Sequence, residues 1–286
     1  MTVETLVERT PVAALARHVA ALAAPIVLAL GVASAPAPAL GQGASDPLRN
    51  CPPMLAGLEG LIHRAALAQD QAVLTFVGHA TFLIESAAGV TIATDYNDYV
   101  RPDAPPTIAT MNRAHRTHYS LAPDPAIAHV LRGWNPEGGV AEHDLEVADV
   151  RVRNVTTNIR SGMATAYDEN SIFVFETADL CIAHLGHLHH VLEPEHLIAL
   201  GRVDVALAPV DGSYTLDTAG MIETLRRMGP RLVVPMHFFS EFRLEQFLEE
   251  ASAHFDIARA DSASVILSRD TLPERPTVLV LDGPGR

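Results

Sequence analysis

The chain holds 14 histidines, and their placement points to metal chemistry. Arg113-Ala114-His115-Arg116-Thr117-His118 and His184-Leu185-Gly186-His187-Leu188-His189-His190 are two clusters, and Pro235-Met236-His237 adds a third position. Neutral imidazole is the commonest protein ligand for zinc, and a catalytic zinc keeps about three protein ligands and one open position for water. Histidines two or three residues apart, at a strand end or in a first helical turn, can turn their rings to one ion. A lone histidine would be weak grounds for a site; two clusters and a strand-terminal His237 are stronger.

The elements that must position these rings are legible from hydrophobic periodicity. Short strands are expected at 73–77, 81–85 and 90–94, with a turn at Ala88-Gly89, and further strands at 107–111, 147–154, 171–176 and 180–184. The last third alternates: helix 193–201, strand 203–209, helix 217–228, strand 231–236, helix 241–252, then strands near 263–267 and 277–281. Strands first and strand–helix alternation later describe an α+β or layered αββα arrangement. Leu55, Leu58, Leu61 and Ile62 recur at helical spacing and predict an additional helix over 53–70.

On these motifs the sequence resembles the metallo-β-lactamase-fold hydrolases. Gly78-His79-Ala80-Thr81-Phe82-Leu83-Ile84-Glu85, Asp95, the histidine-containing segment after strand 107–111, His184-Leu185-Gly186, Asp204-Val205-Ala206-Leu207-Ala208-Pro209, Tyr214-Thr215-Leu216-Asp217 and Val233-Val234-Pro235-Met236-His237 follow one another in that family's order. The resemblance covers roughly residues 73–240, and the branch it looks most like is the L-ascorbate-6-phosphate lactonase-like group. It implies a four-layer αββα sandwich with one or two metals at the strand edges. The ligands transfer only in part. The family's His-x-His-x-Asp-His stretch falls on 113–118, where His115 and His118 match but Arg113 and Thr117 stand in place of a histidine and the aspartate. No histidine occurs near Asn158-Ile159-Arg160, where another ligand is expected, and His187 replaces the bridging aspartate. His237 matches the closing histidine.

Arginine stays protonated and cannot ligate, and threonine is a poor carboxylate substitute. The set left by the resemblance is His115, His118, His187 and His237, enough for one ion rather than two. Four neutral imidazoles suit Zn²⁺ better than Mg²⁺ or Ca²⁺. Asp211, beyond strand 203–209, is either a carboxylate ligand or a turn residue before Gly212. The expected reaction is hydrolysis by metal-activated water. His189, His190 or Asp211 would move the proton, Arg113 would bind an anionic group of a small-molecule substrate, and Tyr214 would either donate to an oxyanion or be structural. A second reading is a metal- or ligand-binding protein of the same fold that has lost hydrolysis; a third is a pure scaffold. His79 is expected to be structural, Asp95 to fix a loop, and Tyr96-Asn97-Asp98-Tyr99 to line the pocket. His143, His196 and His254 are expected to face solvent.

Composition bounds the alternatives. The formal charge of −14, with arginine as the only basic residue besides histidine, leaves no basic stripe for a phosphate backbone, so nucleic acid is not an expected partner. Arg9 and Arg17, an apolar run from Val19 to Val32 and Ala33-Ser34-Ala35 read as a signal peptide and linker over 1–42. A retained membrane anchor is the rival reading, and Pro25 within the short run weighs against a span. The expectation is an exported, periplasmic or secreted protein with no membrane span after cleavage, a helical segment over 43–72 and, as the resemblance implies, a metallo-β-lactamase-like domain over 73–286. Oligomeric state is not legible. Cys51 and Cys181 either pair after export or leave Cys181 a buried thiol.

Overall fold

The computed structural model describes residues 67–283. The signal peptide, Cys51 and residues 53–66 of the expected N-terminal helix lie outside the described residues. Residues 67–70 lead into a turn rather than continuing a helix, and Gln71 N–H donates to Ala68 O.

Two sheets stack face to face. The first comprises β1 (Ala72–Gly78), β2 (Thr81–Ser86), β3 (Thr91–Ala93), β4 (Ile108–Met111), β5 (His129–Arg132) and the later β13 (Ser264–Leu267), in the order β13-β1-β2-β3-β4-β5. The second comprises β6 (Asp144–Val147), β7 (Val150–Ser161), β8 (Ala164–Thr177), β9 (Leu180–His184), β10 (Val205–Pro209), β11 (Leu232–Met236), β12 (Asp256–Arg259) and β14 (Thr277–Val280), ordered β12-β14-β11-β10-β9-β8-β7-β6. Side chains alternate across each strand. Phe173, Phe175, Ile182, Val205, Leu207 and Val234 therefore meet Leu74, Phe82, Ile84, Ile92 and Ile108 between the sheets. The intervening Ile172, Val174, Ala183, Ala206 and Val233 face outward. Burial on both faces explains why β10 and β11 read as unbroken apolar runs.

Helices α1 (Pro194–Leu200), α2 (Thr218–Met228) and α3 (Glu241–Ala251) contribute Leu200, Met221, Leu225, Leu244, Phe247 and Leu248 to that outward cluster. The expected helices at 193–201, 217–228 and 241–252 are thus present, and the architecture is the α+β sandwich of the metallo-β-lactamase fold. Among the described residues no helix covers the first sheet, and none is long and apolar enough to cross a membrane.

Three expectations change. The strand expected at 147–154 is split by a turn at Ala148, whose φ is +50°, and continues to Ser161. The strand expected at 171–176 begins at Ala164, so β7 and β8 form one long hairpin. Among the described residues Cys181 is a free thiol, half-buried rather than buried, and its pKa is raised by burial against the opposing effect of Arg202.

Candidate metal centre

The edge of the sandwich collects the residues that follow the carboxyl ends of parallel strands. Asp95 follows β3, Asn112 to His118 follow β4, His187 follows β9, Asp211 follows β10 and His237 follows β11. β3–β4 and β9–β10–β11 are parallel, so these chain segments all emerge at one edge, where open sheets commonly hold ligands. Strain accumulates there: Asp95, His79 and His237 have φ of +43°, +53° and +55°, left-handed backbone that costs non-glycine residues energy and clusters at functional sites. His237 N–H donates to His79 O at 2.8 Å, tying two of these turns together.

His115, His118, His187 and His237 converge, each offering one ring nitrogen, with those atoms within 4.8 Å of one another. His118, His187 and His237 are buried and His115 is half-buried. The Nε2 atoms of His118 and His237 lie 3.1 Å apart, as do those of His115 and His187. The edge of a tetrahedron of imidazole nitrogens around zinc is about 3.4 Å, given Zn–N distances near 2.0–2.1 Å. The donor set fits such an ion.

What stands behind each ring decides which nitrogen faces inward. His118 Nδ1 donates to Asp95 Oδ2 at 2.5 Å, and His237 Nδ1 donates to Asp211 Oδ1 at 3.0 Å. Both rings thereby present an Nε2 lone pair to the centre, and two lone pairs facing each other at 3.1 Å repel unless a cation lies between them. His115 Nδ1 lies 2.7 Å from Thr117 Oγ1, which lies 3.0 Å from His79 Nε2. His187 differs. Arg160 donates to His189 Nδ1 from both its backbone N–H and Nε, which places the His189 proton on Nε2, 2.6 Å from His187 Nδ1.

Electrostatics favour the neutral forms of His115, His118 and His187. Burial lowers the pKa of His118 well below the ordinary value, with His237, His115 and His184 adding to the effect. His187 is lowered by burial and by His118 and His237, and His115 by burial and His237. His79 is held at about 3 and His189 at about 4, in both cases first by burial. Asp211 goes the opposite way from an isolated buried acid. Burial raises it, but hydrogen bonds from His237, Thr215 and Ser213 hold it well below the usual carboxylate range. Asp95 is pushed up to about 6 by burial, against His184 and a hydrogen bond from Asn112.

The remaining sequence expectations fare differently. Asp211 is not among the converging ligands: Oδ2 accepts from the backbone N–H of Ser213, Tyr214 and Thr215, and Oδ1 serves His237 and Thr215 Oγ1. Its lone pairs are committed to these partners, His237 among them. Arg113 does not offer a free cation, because its Nη1 donates to both carboxylate oxygens of Glu169 at 2.9 and 3.1 Å. His190 turns both ring nitrogens to the main chain, at Asn158 N–H and Val191 O, and has no free nitrogen for proton transfer. Tyr214 is neither buried nor structural in its ring: it is exposed and leans edge-on against Phe239 with ring centroids 5.5 Å apart. Asp95 does brace the loop after β4. Tyr96 is buried, whereas Tyr99 is exposed. His143 does not face solvent, since Nε2 donates to Arg132 O and the ring stacks on Phe173; His196 is half-buried, and His254 is exposed.

Sequence reasoning missed Arg160 and Thr117 as supports. Arg160 stands in the segment where a histidine was expected, and its Nη2 also donates to Thr215 O at 2.6 Å. Only the long reach of the β7–β8 hairpin brings it to the site, and nothing in local spacing signals that reach. Thr117 was legible as a substitution, but its use as a relay between His115 and His79 required the fold.

The chain is similar to known proteins in both sequence and fold. The β-lactamase superfamily domain matches residues 73–237. Relatives named UPF0173 metal-dependent hydrolase include one from Thermoplasma acidophilum, 28% identical over 44% of this chain and 48% of its own length, so the match spans about half of that relative. Others are from Methanoculleus marisnigri, 26% identical over 62% of this chain and 85% of the relative, and Salinibacter ruber, 26% identical over 66% and 94%. Among solved structures, a Thermotoga maritima protein described as a Zn-dependent hydrolase of the metallo-β-lactamase superfamily is 25% identical, with a TM-score of 0.56 over 74% of this chain and 99% of that one. A metal-dependent hydrolase from Parabacteroides distasonis, 16% identical, shares the fold with a TM-score of 0.52 over 63% of this chain and 87% of that one. With more than half of its length matched by that domain and its histidines gathered at the sandwich edge, the chain belongs to the metallo-β-lactamase superfamily.

Proposed function

We propose that the protein is a metal-dependent hydrolase that works with one Zn²⁺ held by His115, His118, His187 and His237. The observation that carries this reading is the pair of carboxylate-backed imidazoles, His118 on Asp95 and His237 on Asp211, whose Nε2 atoms face each other at 3.1 Å. A bound ion supplies Lewis acidity and makes water a nucleophile near neutral pH. Asp95 and Asp211 orient two donors and complement their positive charge. Thr117 and His79 hold the third, His115, whose half-exposure marks the side from which substrate and water approach. His187 would hold an ion through Nε2 with its own proton on Nδ1, which would require His189 Nε2 to accept from it rather than donate. Four imidazoles leave the centre more positive than a carboxylate-containing one, which favours an anionic or strongly polarised carbonyl or phosphoryl group. The names of the relatives support the hydrolytic class, and the lactonase-like motif order supports a cyclic or simple ester as the first substrates to try. The order of basic, apolar and small residues over 1–42 supports an exported location.

The test is hydrolysis of a panel of lactones, carboxylic esters and phosphodiesters by the full chain. Chelation should abolish turnover and Zn²⁺ should restore it, and His118→Ala with His237→Ala should lower it by about a hundredfold or more. Turnover that survives chelation, or survives both substitutions, contradicts the proposal.

A further inference from the structure

A groove of about 1080 Å³ lies along the outer side of β1 and β2. Val77 and Leu83 face it from the strands, Tyr99, Val100 and Pro105 close it from the loop after β3, and Phe239 stands at it beyond β11. Glu85, Arg101 and Asp103 are its charged lining residues. A solvent face of an antiparallel sheet ordinarily carries polar side chains, so this apolar lining is unexpected. Tyr99 is 68% and Phe239 57% exposed, and clustered exposed apolar residues mark ligand grooves. The volume is just above the range of about 300–1,000 Å³ typical of pockets for drug-sized ligands.

The groove adjoins the metal centre through His79 and Phe239. His79 lines it, and the His79 ring lies 4.4 Å from that of His237 and 5.3 Å from that of His118. Phe239, also in the lining, lies 5.1 Å from His237 and 5.7 Å from His79. A molecule whose polar group reached the four histidines would find an apolar channel leading away past these two rings.

We infer that the groove seats a long aliphatic acyl chain of the substrate, with the acyl head at the histidine cluster. The assignment of the head rests on the hydrolytic reading above; the chain site stands on the groove itself. Straight-chain carboxylates of four, eight and twelve carbons, titrated into the full chain with and without Zn²⁺, test it by calorimetry. The dissociation constant should fall at least about twofold per added methylene between eight and twelve carbons, about half the free energy of full burial of each methylene. Leu83→Glu should remove that dependence without changing bound zinc, and Tyr99→Ala, at an exposed position, should weaken it if the first variant does not fold. Affinity that does not change with chain length overturns the inference, and so does a chain-length dependence untouched by both variants. Chain-length-dependent binding in a protein that holds no metal leaves the groove standing and overturns the hydrolytic reading alone.

Discussion

At the scale of single residues, the function of the site depends on groups one bond removed from the converging nitrogens. Asp95 and Asp211 each accept the Nδ1 proton of a buried histidine, so Asp95→Asn and Asp211→Asn should lower zinc affinity about 10- to 100-fold, read by competition with a chromogenic chelator; unchanged affinity in both would contradict their role. Arg113→Ala is the contrasting case. Its guanidinium is half-exposed and paired with Glu169, and such pairs contribute less than about 1 kcal/mol. Zinc affinity should stay within a factor of about two, with a stability change of that small size in urea unfolding. The converging histidines were legible because residue type and spacing mark their clusters and the family resemblance picks these four out of them. Of their supports, Asp95 was legible as a loop-fixing residue, and Thr117 only as a substitution, its place between His115 and His79 depending on the fold. Arg160 reaches His189 across 29 positions, a distance over which no spacing rule operates.

At the scale of elements, the turns after β9 and β11 place donors that the strands alone would not. Gly186, at φ +59°, lets the chain turn from His184 to His187 under Asn112 and Asn170, whose side-chain atoms would lie 2.5 Å from an added Cβ. Gly186→Ala should cost about 1–3 kcal/mol through overpacking and backbone strain and should loosen zinc binding, because Asn170 Oδ1 also accepts the His187 N–H at 2.7 Å. Urea unfolding and zinc titration of the same variant check both; a loss below about 0.5 kcal/mol would contradict the packing account. Strands β1, β2, β9, β10 and β11 were legible because they are buried and apolar. The extension of β7–β8 to Ser161 and back from Ala164 was not: its outer residues Thr165 to Glu169 are half-exposed to exposed and carry no alternation for burial to impose. The short strands β5 and β12 were missed for the same reason, being mostly exposed or half-exposed sheet edges.

At the scale of the whole molecule, many neutral histidines packed at one edge make stability depend on pH. His79 and His189 have folded pKa values of about 3 and about 4 against 6.5 unfolded, and His115, His118, His184 and His187 are lowered too. Below about 6.5 the unfolded chain takes up protons that the folded chain refuses. The stability these groups contribute is therefore complete above about 6.5 and is lost as pH falls toward about 4 for His189 and about 3 for His79. Asp95, raised to about 6 from 3.8, opposes this between those values, one group against several. Metal-free protein should accordingly be markedly less stable at pH 5 than at pH 7.5 in urea unfolding, and a flat profile would contradict the burial of neutral rings. The layered α+β class was legible from the order of strands and helices, since the interior between the sheets and beneath the helices imposes its periodicity on the chain. The groove was not, because it arises where a loop and two strands meet. The central claim concerns the metal, and the most direct measurement is the zinc content of the full chain after loading and desalting, beside the His118→Ala, His237→Ala double variant. The account predicts about one equivalent per chain, lost in the variant; less than about a tenth of an equivalent in the parent chain, or equal zinc in both proteins, would contradict it.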